Sequence, residues 1–566
     1  MASEDLVTEQ FQFLGIDVEK EVLNKCVSLC EVYGIDAETL VELWMAFSLS
    51  HLNGSSPNLA NLELLERKEF SKRMVERCNA SDKDAIGPGA GTSVTVYDAP
   101  IARVKSDVES APNQNELGPA TYSPKIGYSA KYASRTNAGT VVHSFGADDL
   151  LQHFTDVNSQ QNPLNLNIAQ VPNDDGDVYT KAMFGFELLH EKASIFSNHI
   201  SYISQCIMKK AALTDAKSVR HKTQTEVVVC GRIECDADAR LNPKCVVLQG
   251  TWEESLSQAV PVDLDNLKQY SLFPGQVVAM RGVNPRGDRF VASEVFTDAS
   301  LPVPDARVDM INSLTGTMSI VVVAGPYTTS DNLAYEPLKD LLAYIGTNKP
   351  HVVFMIGPFL DCDHSKVKDN SMAETYGTFF EKLIDSLGEL NTTSPNTSVY
   401  IVSSQRDAFH VSVYPTPAYW CRRRAAHVRL LPDPCTVAVA GVRLGLTSTD
   451  VLMHVGHEEI SLGMGGDKLA RLAGHMLSQQ SYYPLWPATA LPVDAPLWAA
   501  HAQLPCTPHV FVLPSNFRYF VKEVNGCVVV NPEHLAKGTG GGTFARLLVA
   551  ADREHAVSVA AQIVRI

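Results

Sequence analysis

A formal charge of −16 over 566 residues excludes a protein that grips phosphate backbones across its whole surface, because such proteins owe most of their affinity to clustered Lys and Arg. The chain is 45% hydrophobic and 19% charged, a globular composition with room for roughly three or four domains, while 31 prolines and 35 glycines leave space for an unstructured stretch. The opening MASEDLVTEQ is acidic where a signal peptide needs a cationic and then an apolar run, and no segment approaches the ~20 apolar residues of a membrane span, so an intracellular, soluble protein without membrane contact is expected.

Residues 1–78 read as a helical bundle. GIDVEKEVLNKC is echoed by GIDAETLVELWM, and in each copy an aspartate, Asp17 or Asp36, can cap a helix whose first turn carries Glu19 or Glu38. Leu40, Leu43, Trp44 and Phe47 repeat at helical spacing, as do Leu59, Leu62, Leu65 and Met74. Such a bundle is first an amphipathic core and, beyond that, a candidate docking module for other proteins.

From 79 to 175 the chain loses periodicity and fills with turn formers, as in AIGPGAGTSVTVYDAP and VPNDDGD, and a flexible linker is expected. Within it, YSPKIGYSAKYASRTNAG mixes Tyr122, Tyr128 and Tyr132 with Lys125, Lys131 and Arg135. Three cations make few phosphate contacts, so this segment suits packing on a neighbouring domain better than binding nucleic acid. Ser123 precedes Pro124, the dipeptide that proline-directed kinases modify, and is the candidate phosphorylation site.

A helical lead-in around Phe184–Ala212 opens a region, 176–305, whose remainder is strand-like. TEVVVCGRI, KCVVLQG, AVPVDLDNL, QVVAMRGV and RFVASEVF are short β-branched runs separated by turn signals, with NPRGD at a hairpin tip. That spacing suits a five-stranded β-barrel of OB type. Barrels of this kind often stack single-stranded nucleic acid on exposed aromatics above a cationic groove. Trp252, Tyr270, Phe273, Phe290 and Phe296 are sparse and basic residues do not dominate, which favours a structural or protein-binding barrel.

Residues 306–566 read as α/β. SIVVVAG, HVVFMIG and SVYIVSS are continuous apolar runs separated by helical patterns such as Leu338, Leu341, Leu342, Ile345 and Phe380, Leu383, Ile384, Leu387. Strand, helix, strand, helix, strand implies a parallel sheet covered on both faces. Twelve cysteines stand without a C-x-x-C pair, and reduced, buried thiols are expected rather than disulfides or zinc.

Ligands of open α/β sheets gather at the carboxyl ends of the strands. Here those ends read Gly325-Pro326, Gly357-Pro358-Phe359-Leu360-Asp361 and Ser403-Ser404-Gln405-Arg406-Asp407. The order of elements resembles the calcineurin-like metallophosphoesterases, whose strand tips carry D-x-H, G-D-x-x-D and G-N-H-[DE] around two metals. Two cations ~4 Å apart need a bridging aspartate, with imidazoles and an amide oxygen around them. The first tip, at Pro326, is degenerate and offers no Asp-x-His, Pro358 stands where the bridging aspartate belongs, Gln405 replaces the asparagine, and Arg406 replaces a histidine with a cation that repels metal.

Asp361 and Asp407 survive, but they lie one layer out from the metals in that pattern. His454, His457 and His509 have no G-H-x-H context, so no metal or other cofactor is expected, and Asp361, Asp363 and His364 are read as a polar, hydrogen-bonding loop. The glycine run KGTGGGTFAR lacks P-loop order and reads as a tight turn before a strand. CRRRAAHVR, 421–429, reads as a solvated basic loop, with contact to an acidic partner or nucleic acid as the alternative.

The combination resembles the accessory B subunits of the replicative DNA polymerases, and among them the B-subunit family of DNA polymerase alpha-primase. The resemblance rests on YSPKIGYSAKYASRTNAGTVVHSFG, LFPGQVVAMRGVNP, VVVAGPYTTSDNLAYEPL, MIGPFLDCDH and LPSNFRYFVKEVNGCVVVNPEHLAKGTGGGTFARL. It implies an inactive phosphoesterase domain fused to an OB barrel in a nuclear, non-enzymatic scaffold. The barrel and that domain would hold the C-terminal domain of the polymerase alpha catalytic subunit and link it to primase for primer synthesis. The N-terminal bundle would meet other replisome proteins, and DNA would be handled mainly by partners. The residues alone leave two rivals, a single-strand binder through the barrel and an active metallophosphoesterase.

Overall fold

The computed structural model describes residues 129–566 apart from 155–167, 171–183, 238, 307–316, 370–371, 373, 424, 426, 489–490 and 551–556, and, before them, residues 7–8, 18, 20–33, 40–41, 44 and 57–66. The chain divides into two compact units, Met1–Pro119 and Ala120–Ile566. Ser123, Lys125, Tyr122, Tyr128, Leu43, Phe47 and Met74 lie outside the described residues.

In the first unit the helix Lys20–Tyr33 buries Val22, Cys26, Leu29 and Cys30, an i, i+4, i+7, i+8 stripe, and the helix Leu59–Leu65 buries Leu62 and Leu65. With Leu40, Val41 and Trp44 they form one small core. Lys25 pairs with Glu66 at its edge, 2.7 Å apart.

The second unit begins by departing from the linker expectation. Val141–Phe145 pairs antiparallel with Ser558–Arg565 as an edge strand of a seven-stranded sheet, and Ile168–Gln170 pairs with Cys435–Val439 at the edge of a six-stranded one. The linker read over 79–175 is therefore in part a built-in element. The helix Ala130–Ala133 ahead of it is anchored too: Tyr132 is buried and its hydroxyl donates to Asp340 at 2.9 Å, while Arg135 donates to the Ile566 carbonyl at 3.0 Å. Pieces of three to five residues are too short to print a period on the sequence, and the sheet edges supply their hydrogen bonds.

A barrel follows. Strands Thr223–Cys235, Val246–Gln249, Ala259–Asp263, Phe290–Phe296 and Val277–Asn284 pair in that order, and Thr223–Cys235 closes the ring on Val277–Asn284. Alternation sorts the side chains: Val278 and Met280 fill the interior with Ile233, Leu248, Val260 and Phe290, whereas Val277 and Ala279 face outward. That outer face takes the helix Leu189–Lys210 through Ile200, Ile203 and Ile207, all buried.

The remainder is a sandwich of two sheets between helices. Met318–Ala324, Val352–Ile356, Ser398–Val402 and Val428–Leu431 run parallel, and Thr543–Ala550 extends the sheet antiparallel to the first of them. The helices Glu336–Asn348 and Tyr376–Gly388 cover one face through Leu338, Leu341, Ile345, Phe380, Leu383 and Ile384. The other face is covered not by helices, as a doubly wound sheet would require, but by the six-stranded sheet: Ile320, Val322 and Phe354 meet Val437, Leu444, Val512 and Val530 in one core. Strands buried on both faces explain the unbroken apolar runs. The helices Val451–Glu458, Lys468–Ser478 and Ala495–His501 close the outer side of the second sheet.

Barrel and sandwich are knitted together by side-chain amides that act as surrogate strand partners. Gln479 accepts from the Val277 amide at 2.8 Å and donates to the Val277 and Thr297 carbonyls, and Gln480 donates to the Ala299 carbonyl at 2.6 Å. Phe273, wholly buried, inserts from the barrel into the helical core beside the second sheet. Among the described residues no helix is long and apolar enough to cross a membrane, and no disulfide is formed. Cys362 is exposed and Cys206, Cys235, Cys245 and Cys421 are half-buried, so the buried-thiol expectation fails for these five.

Candidate functional site

The three strand tips come together at one edge of the seven-stranded sheet. Gly325 and Gly357 each precede a cis proline, Pro326 or Pro358. A side chain on Gly325 would meet the Pro358 carbonyl oxygen at 2.1 Å, so the first and second tips are in backbone contact. Beside Gly357 the space is taken: an added Cβ would lie 2.6 Å from the Tyr419 hydroxyl, 2.7 Å from Ser404 Cβ and 2.9 Å from Asp407 Oδ2. Gly357→Ala is accordingly expected to destabilise the protein by about 1–3 kcal/mol through overpacking, read as a lower urea midpoint at unchanged slope.

Asp407 is enclosed. Its Oδ1 accepts from the Phe359 and Leu360 amides, both at 2.6 Å, and its Oδ2 accepts from the Tyr419 hydroxyl. Burial pushes its carboxyl up to about 7, against the lowering effect of Tyr419 and the two amides. Tyr419 and Tyr327 are both buried, and burial first, with the Asp407 charge second, holds their hydroxyls well above the usual phenol range. Tyr327 stacks on Phe359 at 4.5 Å and donates to the Ile356 carbonyl at 3.0 Å. Phe380, Phe409 and Tyr419 extend this into an aromatic plug over the strand ends.

Arg406 projects toward the loop after the second tip, 2.5 Å from Asp361 Oδ2 and 3.7 Å from Asp363 Oδ2. Asp361, Cys362 and Asp363 are the one set of three close metal-capable groups found among the described residues, and the guanidinium already satisfies its two carboxylates. Asp363 also pairs with Lys368 at 2.9 Å, which with Arg406 holds its carboxyl below the ordinary range. His364 caps the helix Ser365–Lys368: Nδ1 accepts from the Lys366 amide at 3.1 Å, and Nε2 faces the Thr329 and Asn332 carbonyls at 3.0 and 3.2 Å. Both ring nitrogens are spent. Gln405 is half-buried beside them.

Of the late histidines, His454 Nδ1 is bonded to the Tyr483 hydroxyl at 3.1 Å, His457 is exposed, and His509 Nδ1 accepts from the Arg443 amide at 3.0 Å. The histidine that does reach the tips is His534, whose Nδ1 lies 2.6 Å from the Gly325 carbonyl oxygen and whose burial lowers its pKa. Nothing in the spacing of NPEHLAKG distinguishes it, and PAYWCRRR likewise gives no sign of the role of Tyr419.

Elsewhere, three of the five barrel aromatics are buried, Tyr270, Phe273 and Phe290, while Phe296 is half-buried under Arg281 and Trp252 alone is largely exposed. The glycine run forms a tight hairpin, Ala536–Lys537 against Gly540–Gly541, leading into the strand Thr543–Ala550. In the basic stretch Arg422 and Arg423 are exposed before the edge strand Val428–Leu431 begins, and Arg423 lies 3.7 Å from Asp385.

Comparison with known proteins matches the DNA polymerase alpha/epsilon B-subunit family over residues 320–522, the OB domain of the DNA polymerase alpha B subunit over 193–298, and the N-terminal domain of the alpha B subunit over 4–72. The DNA polymerase alpha B subunit of Mus musculus is 33% identical, covering 99% of this chain and 99% of its own. That of Drosophila melanogaster is 31% identical over 97% and 96%, and that of Saccharomyces cerevisiae 24% over 64% and 59%. Among solved structures, a zinc-complexed Vps29 of Entamoeba histolytica covers 44% of the chain and 98% of its own at 10% identity and a TM-score of 0.21, too low to bear on the fold.

Proposed function

Since the chain belongs to the DNA polymerase alpha B-subunit family, we propose that it is a non-catalytic, nuclear scaffold of the polymerase alpha-primase complex. In this reading the 306–566 domain is a phosphoesterase fold that has lost its metals, and together with the barrel it holds the C-terminal domain of the catalytic subunit next to primase. The N-terminal unit recruits other replisome proteins, and Ser123 is the first position to test for phosphorylation.

One observation carries the reading. At the strand ends the groups that could bind metal are engaged with one another: Arg406 on Asp361 and Asp363, two amides and a phenol on Asp407, and backbone groups on both nitrogens of His364. An edge filled by protein cannot activate water for attack on a phosphate. Burial of Tyr270, Phe273 and Phe290 likewise removes the stacking platform that a single-strand-binding barrel needs.

Co-expression with the polymerase alpha catalytic subunit is expected to yield a stable complex that is lost when residues 220–566 are deleted, and a 1–80 fragment is expected to retain none of it. Obligate interfaces of this kind commonly bury more than about 2,000 Å2, so retention at high salt is expected. Manganese-dependent hydrolysis of a generic phosphodiester by the intact protein, or a complex held by residues 1–80 alone, would refute the proposal.

A further inference from the structure

The barrel carries a pair of thiols that the scaffold reading does not use. Cys235 ends the first barrel strand and Cys245 directly precedes the second, Val246–Gln249. The antiparallel register sets Cys235 opposite Val246, and the Asp236 amide donates to the Cys245 carbonyl at 2.8 Å. The two strands thus hold the side chains side by side, with the Sγ atoms 3.1 Å apart and unbonded. Arg240 and Asn242 of the intervening segment close back on the pair. Cys245 Sγ accepts from the Asn242 amide at 3.1 Å, and Cys235 Sγ lies 4.0 Å from the Arg240 carbonyl oxygen.

Solvent reaches the pair. Cys235, Ala237 and Arg240 form one wall of an open cavity of about 460 Å3 at the junction of barrel and sandwich, facing Trp486 and Pro487. A molecule the size of a hydroperoxide enters such a space freely, whereas Cys230 and Cys527 are sealed in cores.

We propose that Cys235 and Cys245 are an oxidisable dithiol that hydroperoxides convert to a disulfide, fixing the 236–244 loop as a rigid wall of this cavity. One thiolate attacks a peroxide oxygen, the O–O bond breaks, and a sulfenic acid forms as hydroxide or water leaves. The second sulfur then attacks the sulfenic sulfur, the S–O bond breaks, and a second water is released. Two thiols and one hydrogen peroxide give one disulfide and two waters, the sulfurs losing the two electrons that reduce the peroxide. Thiol reagents reverse it.

The test uses the full chain treated with hydrogen peroxide, alkylated, and digested with trypsin without reduction. Trypsin cuts after Arg240 and Lys244, so the bond holds two peptides together at a mass two hydrogens below their sum. Their loss on dithiothreitol treatment, together with slower amide exchange across 236–244 in the oxidised protein, is the expected result. Recovery of Cys235 and Cys245 as separate alkylated residues while the exposed Cys362 oxidises would overturn the proposal, as would an unchanged exchange rate in the loop. In Cys245→Ser, Cys235 is expected to stop at the sulfenic acid and be trapped by dimedone. Should that variant fail to fold, the wild-type peptide map decides alone.

Discussion

Replacing Asp407 with alanine is expected to destabilise the protein by about 3–5 kcal/mol, whereas Asp407→Asn is expected to be tolerated and to change how stability depends on pH. The alanine variant strands three buried donors, the Phe359 and Leu360 amides and the Tyr419 hydroxyl, each of which costs roughly 1–3 kcal/mol without an acceptor, with incomplete additivity. Asparagine keeps an oxygen for the two amides and donates an N–H to the phenol oxygen, so one donor, the Tyr419 hydroxyl, is left to find an acceptor instead of three. It also removes a charge that burial disfavours. With its carboxyl raised to about 7, folded Asp407 holds a proton that the unfolded chain releases near pH 4. Over that window the folded state binds more protons than the unfolded state, so wild-type stability falls as pH rises from about 4 through about 7 and levels off above.

The gap corresponds to on the order of 4 kcal/mol. Buried histidines with lowered pKa, such as His410 and His534, contribute the opposite slope, and for that reason the wild type must be compared with Asp407→Asn at each pH. The asparagine variant is expected to be the less stable near pH 4.5 and the equal or better near pH 8, by urea midpoints. A difference that is constant across that range would remove the buried, proton-holding carboxyl from the account.

This same residue marks the boundary of what the sequence could reveal. The barrel was legible because each of its five strands is a β-branched run bounded by turn formers, and the parallel strands because burial on both faces writes an unbroken apolar run, as in HVVFMIG. The residues at the tips, Pro326, Pro358, Gln405 and Arg406, were legible as such in the sequence. What packs around the tips was not, since Tyr419 and His534 arrive from segments 62 and 177 residues beyond Gly357 in sequence, with no spacing that links them to it. The second sheet was missed for a related reason: Val442–Leu446, Val510–Val512 and Cys527–Asn531 are short, and only long-range pairing makes a layer of them. Edge strands such as Val141–Phe145 are the extreme case, ordered by a strand at the other end of the unit, with Ser144 paired to Gln562, 418 residues further along.

The junction of barrel and sandwich carries the other large expected effect. Glu459 sits between the helix Val451–Glu458 and the strand Ile460–Leu462, which pairs with the barrel-side strand Tyr270–Leu272. Its Oε1 accepts from Ser271 Oγ at 2.5 Å, Arg471 Nε at 2.8 Å and His475 Nε2 at 3.1 Å, and its Oε2 accepts from Arg471 Nη2 at 3.1 Å. The side chain is only 2% exposed and that of Arg471 15%. Burial raises the Glu459 carboxyl, but the hydrogen bonds from His475, Arg471 and Ser271 together outweigh it and leave the group well below the usual carboxylate range.

Glu459→Ala is therefore expected to cost about 3–5 kcal/mol, because it leaves a nearly buried guanidinium without its counter-charge. Removing both charges in Glu459→Met/Arg471→Met is expected to recover most of that loss, since a well-packed apolar pair often matches a buried ion pair. A double-mutant cycle on Glu459 and Arg471 should show coupling above about 1 kcal/mol, and additive single effects would refute the buried pair. The stabilisation should be complete above about pH 4.5 and fade only as pH falls below it, the depressed carboxyl being the last to take up its proton. Asp407 and Glu459 thus act in separate windows, one losing stability toward neutrality and the other toward acid. The wild-type difference from Asp407→Asn should change most between about pH 5 and pH 7, a window in which the depressed Glu459 carboxyl is already ionised.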